Sequence, residues 1–197
     1  VSSSKTCRSK KKGSRTMDKT KPPSPMNPSN KAIARVKDPL PAPETCPHCG
    51  AEVGIVHNSA IYGRGFGEWP WAYRCSSAKC SAYVGMHPHT AIPLGTLATA
   101  EIRAARRLAK DAFTTVWTSM ARAAWADTKQ GRRGESLSGS WGRQMMSDAR
   151  SRGYTWLAGE LGIGNPRECH IGWFDVKQCQ AVVEACYKHA REKHGSR

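Results

Sequence analysis

Acidic residues are scarce in this sequence: 15 Asp and Glu stand against 31 Lys and Arg, for a formal charge of +16. Such a balance favours polyanionic partners. Long apolar runs are missing too. No stretch approaches the roughly 20 residues of a membrane span, and no apolar signal-peptide core follows the basic residues. The reading is therefore a reduced, cytoplasmic protein without a membrane partner, in which the eight cysteines serve thiolate and metal chemistry before disulfides. A hydrolytic constellation is also lacking. Metal-dependent nucleases need open coordination with a general base nearby, and no recognised spacing ties His87, His89, His170 and Asp175 together. Cys169 and His170 are neighbours in sequence, where side chains need not face each other. Catalysis is not the expected role.

What is present centres on residues 46 to 87. Cys46-Pro47-His48-Cys49 and Cys75-Ser76-Ser77-Ala78-Lys79-Cys80 are two close cysteine pairs. A Cys-x2-Cys turn aims two thiolates at one point, and the second pair supplies the other corners of a tetrahedron. Cys46, Cys49, Cys75 and Cys80 are thus the expected zinc ligands, with His48, His57, His87 and His89 as possible substitutes, His87 first among them. Val53, Ile55 and Val56 read as one strand and residues 71 to 74 as its partner. Gly63, Gly65, Gly67 and Pro70 make the connection a bent loop. Two short strands bury little, so metal would supply much of the local stability.

Residues 1 to 43 have almost no apolar periodicity and carry eleven basic residues, Lys10, Lys11 and Lys12 among them, against Asp18 and Asp38. With Pro22, Pro23, Pro25, Pro28, Pro39, Pro41 and Pro43, they are expected to be a disordered or extended tail. Such a tail is either a flexible polycation that finds nucleic acid or a solvated leader. Met17 is a candidate start that would delete the lysine cluster.

Beyond the cysteines, residues 82 to 87 read as a strand and Pro93-Leu94-Gly95-Thr96 as a turn into a helix. Tyr62-Gly63, Cys75, Cys80, Ala82-Tyr83-Val84-Gly85, His87, Thr90, Pro93-Leu94-Gly95-Thr96-Leu97-Ala98 and Arg103 together carry a resemblance. The stretch resembles a zinc-finger-containing domain family of phages and prophage-bearing bacteria, a domain of unknown function. The likeness is strong over residues 45 to 120. It extends more loosely through Tyr154-Thr155-Trp156-Leu157-Ala158 and Cys169-His170-Ile171-Gly172-Trp173-Phe174-Asp175 to Cys179. Lys110, Thr114 and Thr115 stand where the family tends to have His and an Asp-Pro pair. The resemblance implies a zinc-binding, phage-type protein in a bacterial host cell and brings no activity with it.

From residue 99 to about 126, Ile102, Ala105, Ala109, Ala112, Phe113, Val116, Met120 and Ala124 recur at helical spacing, with Thr99 as N-cap. Arg103, Arg106, Arg107 and Lys110 fall together on the other side, either as a phosphate-binding face or as a solvated one. Trp117 and Trp125 read as packing residues. Residues 129 to 142, rich in Gly and Ser, read as a mobile loop. A second helix spans about 144 to 161, with Gly153 as its weak point and Trp156, Leu157 and Leu161 facing inward. Asp175 and Gln178 cap a last helix whose Val176, Cys179, Val182, Val183, Cys186 and Tyr187 form one apolar stripe, and whose end from Lys188 frays. Cys169, His170, Cys179 and Cys186 raise the question of a second metal. Seven residues separate the last two cysteines, too far for one ion to bridge within a helix, so buried thiols are the preferred reading.

The expected architecture is α+β: a basic tail over residues 1–43, a β-hairpin zinc ribbon over 44–92, and a three-helix region over 93–197. The expected function is sequence-independent binding of DNA or RNA through the tail, Arg64, Arg74, Lys79, Arg103, Arg106, Arg107 and Lys110. The rival is a protein-interaction module docking on a host replication, transcription or defence enzyme. Oligomeric state is left open.

Overall fold

The computed structural model describes residues 20–195. It has a small antiparallel sheet at one end and a helical body at the other, each with its own buried cluster. The sheet carries β1 (Val53–His57), β2 (Trp71–Cys75) and β3 (Tyr83–Gly85) in that order. Val53 pairs with Cys75 and His57 with Trp71, while Tyr73 pairs with Val84 on the other edge. The expected hairpin is thus three-stranded. Its third strand continues through Tyr83 into a bridge with Ala98, and Met86 bridges Pro93, so the sheet runs directly into the start of the first long helix.

Where a disordered or extended tail is expected, residues 20–43 contain one helical turn, α1 (Asn30–Ile33), capped by Ser29. This segment touches the body: the Ser29 amide donates to His89 O at 2.8 Å. Between β1 and β2, a further turn, α2 (Ser59–Tyr62), ends on Gly63, whose φ of 75° suits glycine. The buried Asn58 side chain holds the rest of that loop, donating to Phe66 O at 2.7 Å and accepting from the Phe66 amide at 3.3 Å.

The long helix is α3 (Ala100–Ala126), with the Thr99 hydroxyl accepting from the Ile102 amide. It packs against α5 (Gly139–Glu160) and α6 (Val176–Gly195) through Ala109, Phe113 and Val116. The capping pair on α6 is present in both directions: the Gln178 amide donates to Asp175 Oδ1 at 2.7 Å, and the Asp175 amide to Gln178 Oε1 at 3.1 Å. Cys179, Val182 and Cys186 are buried, but Tyr187 at the stripe's edge is 64 % exposed. The helix continues past Lys188 to Gly195.

Two local expectations change. Residues 129 to 142 contain a helical turn, α4 (Lys129–Arg132), and α5 begins at Gly139, five residues before the periodicity suggested. Thr128 caps the turn, and the Trp125 indole donates to Glu135 O at 2.9 Å, folding the segment back on α3. Gly153 is no weak point. It is buried where α5 approaches α3, and a Cβ there would lie 2.9 Å from that of Trp117. A small residue is needed for close helix contact.

Candidate metal centre and basic surface

The first cysteine pair sits on a tight turn. The Cys46 amide donates to Ala51 O, the Gly50 amide donates to Cys46 O, and Gly50 has φ of 73°. The second pair is built alike despite its longer spacing. Cys75 ends β2, the Cys80 amide returns to Ser77 O, and Ser81 takes the place of Gly50 with φ of 46°. The two extra residues are absorbed in the turn, and the residue after the second cysteine is left-handed in both cases.

The result is one cluster. The Sγ atoms of Cys46, Cys49, Cys75 and Cys80 all lie within 4.8 Å of one another, with Cys46 to Cys80 at 3.6 Å and Cys49 to Cys75 at 3.4 Å. These spacings are far longer than a disulfide bond of about 2.05 Å. A tetrahedral zinc ion with Zn–S bonds of about 2.3 Å requires sulfurs about 3.8 Å apart, so the donor set fits zinc. Four sulfurs close the coordination sphere, which marks a structural site. Amide donation from Ala51 holds the Cys49 thiol down at about 7, whereas burial pushes Cys75 up to about 12. Cys49 therefore ionises before Cys75, and binding zinc displaces the proton that Cys75 holds.

The four histidines lie elsewhere. His48 Nε2–H donates to Leu97 O at 3.0 Å, tying the first cysteine turn to the approach of α3. His57 packs edge-on against Trp71 and bonds to Ser59, and His89 packs against Trp69. His87 belongs to the groove described below. The C-terminal cysteines are core residues: Cys169, Cys179 and Cys186 are buried in the helical cluster. Burial raises all three thiols, Cys169 and Cys186 to about 11. Among the described residues, the only grouping with metal-ligand spacing is the four-cysteine cluster.

A closed thiolate tetrahedron set on a small sheet is the signature of a structural zinc finger of ribbon type. Residues 42–127 match the family model of a zinc-finger-containing domain, covering the ribbon and all of α3. No curated protein and no solved structure matches the chain. Among the described residues, no helix is long and apolar enough to cross a membrane.

The basic residues singled out by sequence divide into three groups. Lys10, Lys11 and Lys12 lie outside the described residues. Arg64, Lys79, Arg107 and Lys110 are exposed. Arg106 is not a free cation: it donates to Phe174 O at 2.8 Å, to Thr96 O at 2.9 Å and to Thr96 Oγ1 at 2.6 Å. Burial lowers its pKa, and its three hydrogen bonds make it a structural tie. Arg103 stacks on Tyr83 with its guanidinium 3.8 Å from the ring centre and donates to Ala98 O. Arg74 donates to Ala60 O at 2.7 Å. The supposed continuous face on α3 is therefore reduced to Arg107 and Lys110.

Compensating for that loss is a groove of about 790 Å³ between residues 32–38, the loop after β3, and the junction of α3, α5 and residues 170–173. Arg35, Lys37, Lys110 and Arg150 line it, with Tyr154 and Trp173. Apart from Lys110, sequence reasoning did not select these residues as a site. Arg35 and Lys37 were legible only as part of the basic tail, and Trp173 only as part of the looser family likeness.

Proposed function

We propose that this is a phage-type zinc protein of the bacterial cytoplasm that binds nucleic acid through phosphate contacts, without sequence preference. Zinc makes the ribbon rigid and, through His48 and the bridge from Tyr83 to Ala98, fixes where α3 begins. It takes no part in chemistry. The observation that carries the reading is that Arg35, Lys37, Arg64, Lys79, Arg107 and Lys110 are exposed and, among the described residues, have no side-chain hydrogen bond or ion pair. Cations left without carboxylate partners are available to phosphates, and phosphate contacts position a protein without reading sequence.

The test is binding of full-length, zinc-loaded protein to duplex DNA and to RNA of several sequences across a salt series. Affinity that falls linearly with log salt and varies little with sequence supports the proposal. Absence of binding at about 50 mM salt, where electrostatic association is strong, overturns it. A stoichiometric protein partner recovered in its place would then assign the ribbon to protein docking.

A further inference from the structure

The groove differs from the rest of the basic surface in two ways: it is concave, and it combines cations with aromatic rings. Resting on the nucleic-acid reading above, we propose that it is a site for unpaired nucleotides, which makes the protein prefer single strands to duplex. Arg35, Lys37, Lys110 and Arg150 would hold the phosphates, and Trp173 and Tyr154 would stack against bases.

Charge complementarity is the first support. The four cations line one cleft, and the acidic residue that shares it, Asp38, has its Oδ2 3.6 Å from His170 Nε2. Arg106, the remaining cation of the lining, is already committed to Thr96 and Phe174. An incoming phosphate therefore meets a net positive wall.

The second support is the pair of rings. Trp173 and Tyr154 are half-buried, so each rests on the body while keeping surface free toward the groove. His170 lies between them, its ring centre 4.1 Å from that of Trp173 and 6.2 Å from that of Tyr154. Arg150 itself lies over the Tyr154 ring, 5.8 Å from its centre, and half-exposed aromatics beside cations are the arrangement that single strands use, because every base has a stackable face. Backbone-only recognition of a duplex has no need of it.

Size and shape decide between single strand and duplex. At about 790 Å³ the groove falls within the roughly 300–1,000 Å³ of small-ligand clefts. It is walled on one side by residues 32–38. A duplex, whose own major groove is about 12 Å wide, keeps its bases stacked inside and cannot present them to Trp173. One or two unstacked nucleotides can enter. His170, which shares the lining, has its Nε2 buried and facing Asp38 Oδ2 at 3.6 Å, with no hydrogen-bond partner among the described residues.

Fluorescence anisotropy with full-length zinc-loaded protein tests this, using labelled oligo-dT, oligo-U and a mixed-sequence DNA duplex of equal length at one salt concentration. Both single strands should bind at least about tenfold more tightly than the duplex, from one or two stacked bases. Trp173→Ala should lower single-strand affinity about tenfold and leave duplex affinity within about twofold. Lys110→Gln with Arg150→Gln, both exposed, should reduce the single-strand salt slope by about 0.7 per lost contact, which keeps the test decisive if the tryptophan variant fails to fold. Equal affinity for single strands and duplex, with none of these variants separating them, overturns the groove assignment and leaves the phosphate-binding reading intact. Failure of every probe to bind overturns both.

Discussion

The Nε–H of Arg106 donates to the carbonyl of Phe174 across 2.8 Å, joining two residues 68 positions apart. Its other nitrogens hold Thr96, in the segment that links the sheet to α3. One guanidinium thus clamps together the end of the zinc-finger stretch, the long helix and the entrance to α6. The planar fork of arginine suits three acceptors arranged around it, which a lysine ammonium would not reproduce.

Arg106→Lys keeps the charge and removes the fork. It should lower stability by about 2–4 kcal/mol, since hydrogen bonds from a charged donor are lost and carbonyls are left without partners. Urea unfolding read by far-UV circular dichroism measures it. A change within about 0.5 kcal/mol, typical of an ordinary surface site, would mean that the clamp is not structural.

One zinc per chain is expected by elemental analysis of protein purified without chelator. Cys49→Ser or Cys75→Ser should abolish it and unfold the sheet, while the helical signal persists in part because α3, α5 and α6 have their own buried cluster. Retention of a full zinc equivalent in either variant would refute the four-cysteine assignment.

Cys179→Ala and Cys186→Ala should each cost about 1–2 kcal/mol by opening a small void in the helical core. Zinc content should not change. Loss of metal on either substitution would place these thiols in a metal site and not in the packing.

Gly95→Ala places a Cβ 2.3 Å from Gly172 O, which is backbone and cannot rotate away. The two segments must separate, at a cost of about 1–3 kcal/mol for overpacking. Because this contact lies beside the groove, the same variant should weaken oligo-dT binding as well as lowering the unfolding midpoint. An unaltered midpoint would show that the junction is loose.

Truncation separates the basic N-terminal residues from the groove wall. Deleting residues 1–19 removes Lys10, Lys11 and Lys12 and leaves residues 32–38 in place. If the seven basic residues of 1–19 make about five phosphate contacts on duplex DNA, the salt slope should flatten by about four to five units. Single-strand preference should survive, because the groove is intact. A slope that does not change would exclude this segment from binding.

The zinc site was legible before any fold was known, because chelation is local: two cysteine turns and a connecting loop suffice to bring four sulfurs together, whatever surrounds them. The capping pair at Asp175 and Gln178, the core side of α3 and the burial of Cys179 were legible for the same reason, each resting on spacing within a turn or helix. The fate of the cations was not. Arg103, Arg106, Arg107 and Lys110 look alike on a helical wheel, and only the fold decides which one meets a carbonyl 68 residues away and which one meets water. Gly153 was misread likewise, since a glycine that weakens an isolated helix is the one that lets a packed helix approach its neighbour. The groove belongs wholly to the tertiary structure: its walls come from residues 32–38, the loop after β3, α3, α5 and the turn before α6. No periodicity within one segment encodes a cavity whose sides are supplied by five, because its existence depends on long-range packing that local spacing does not record.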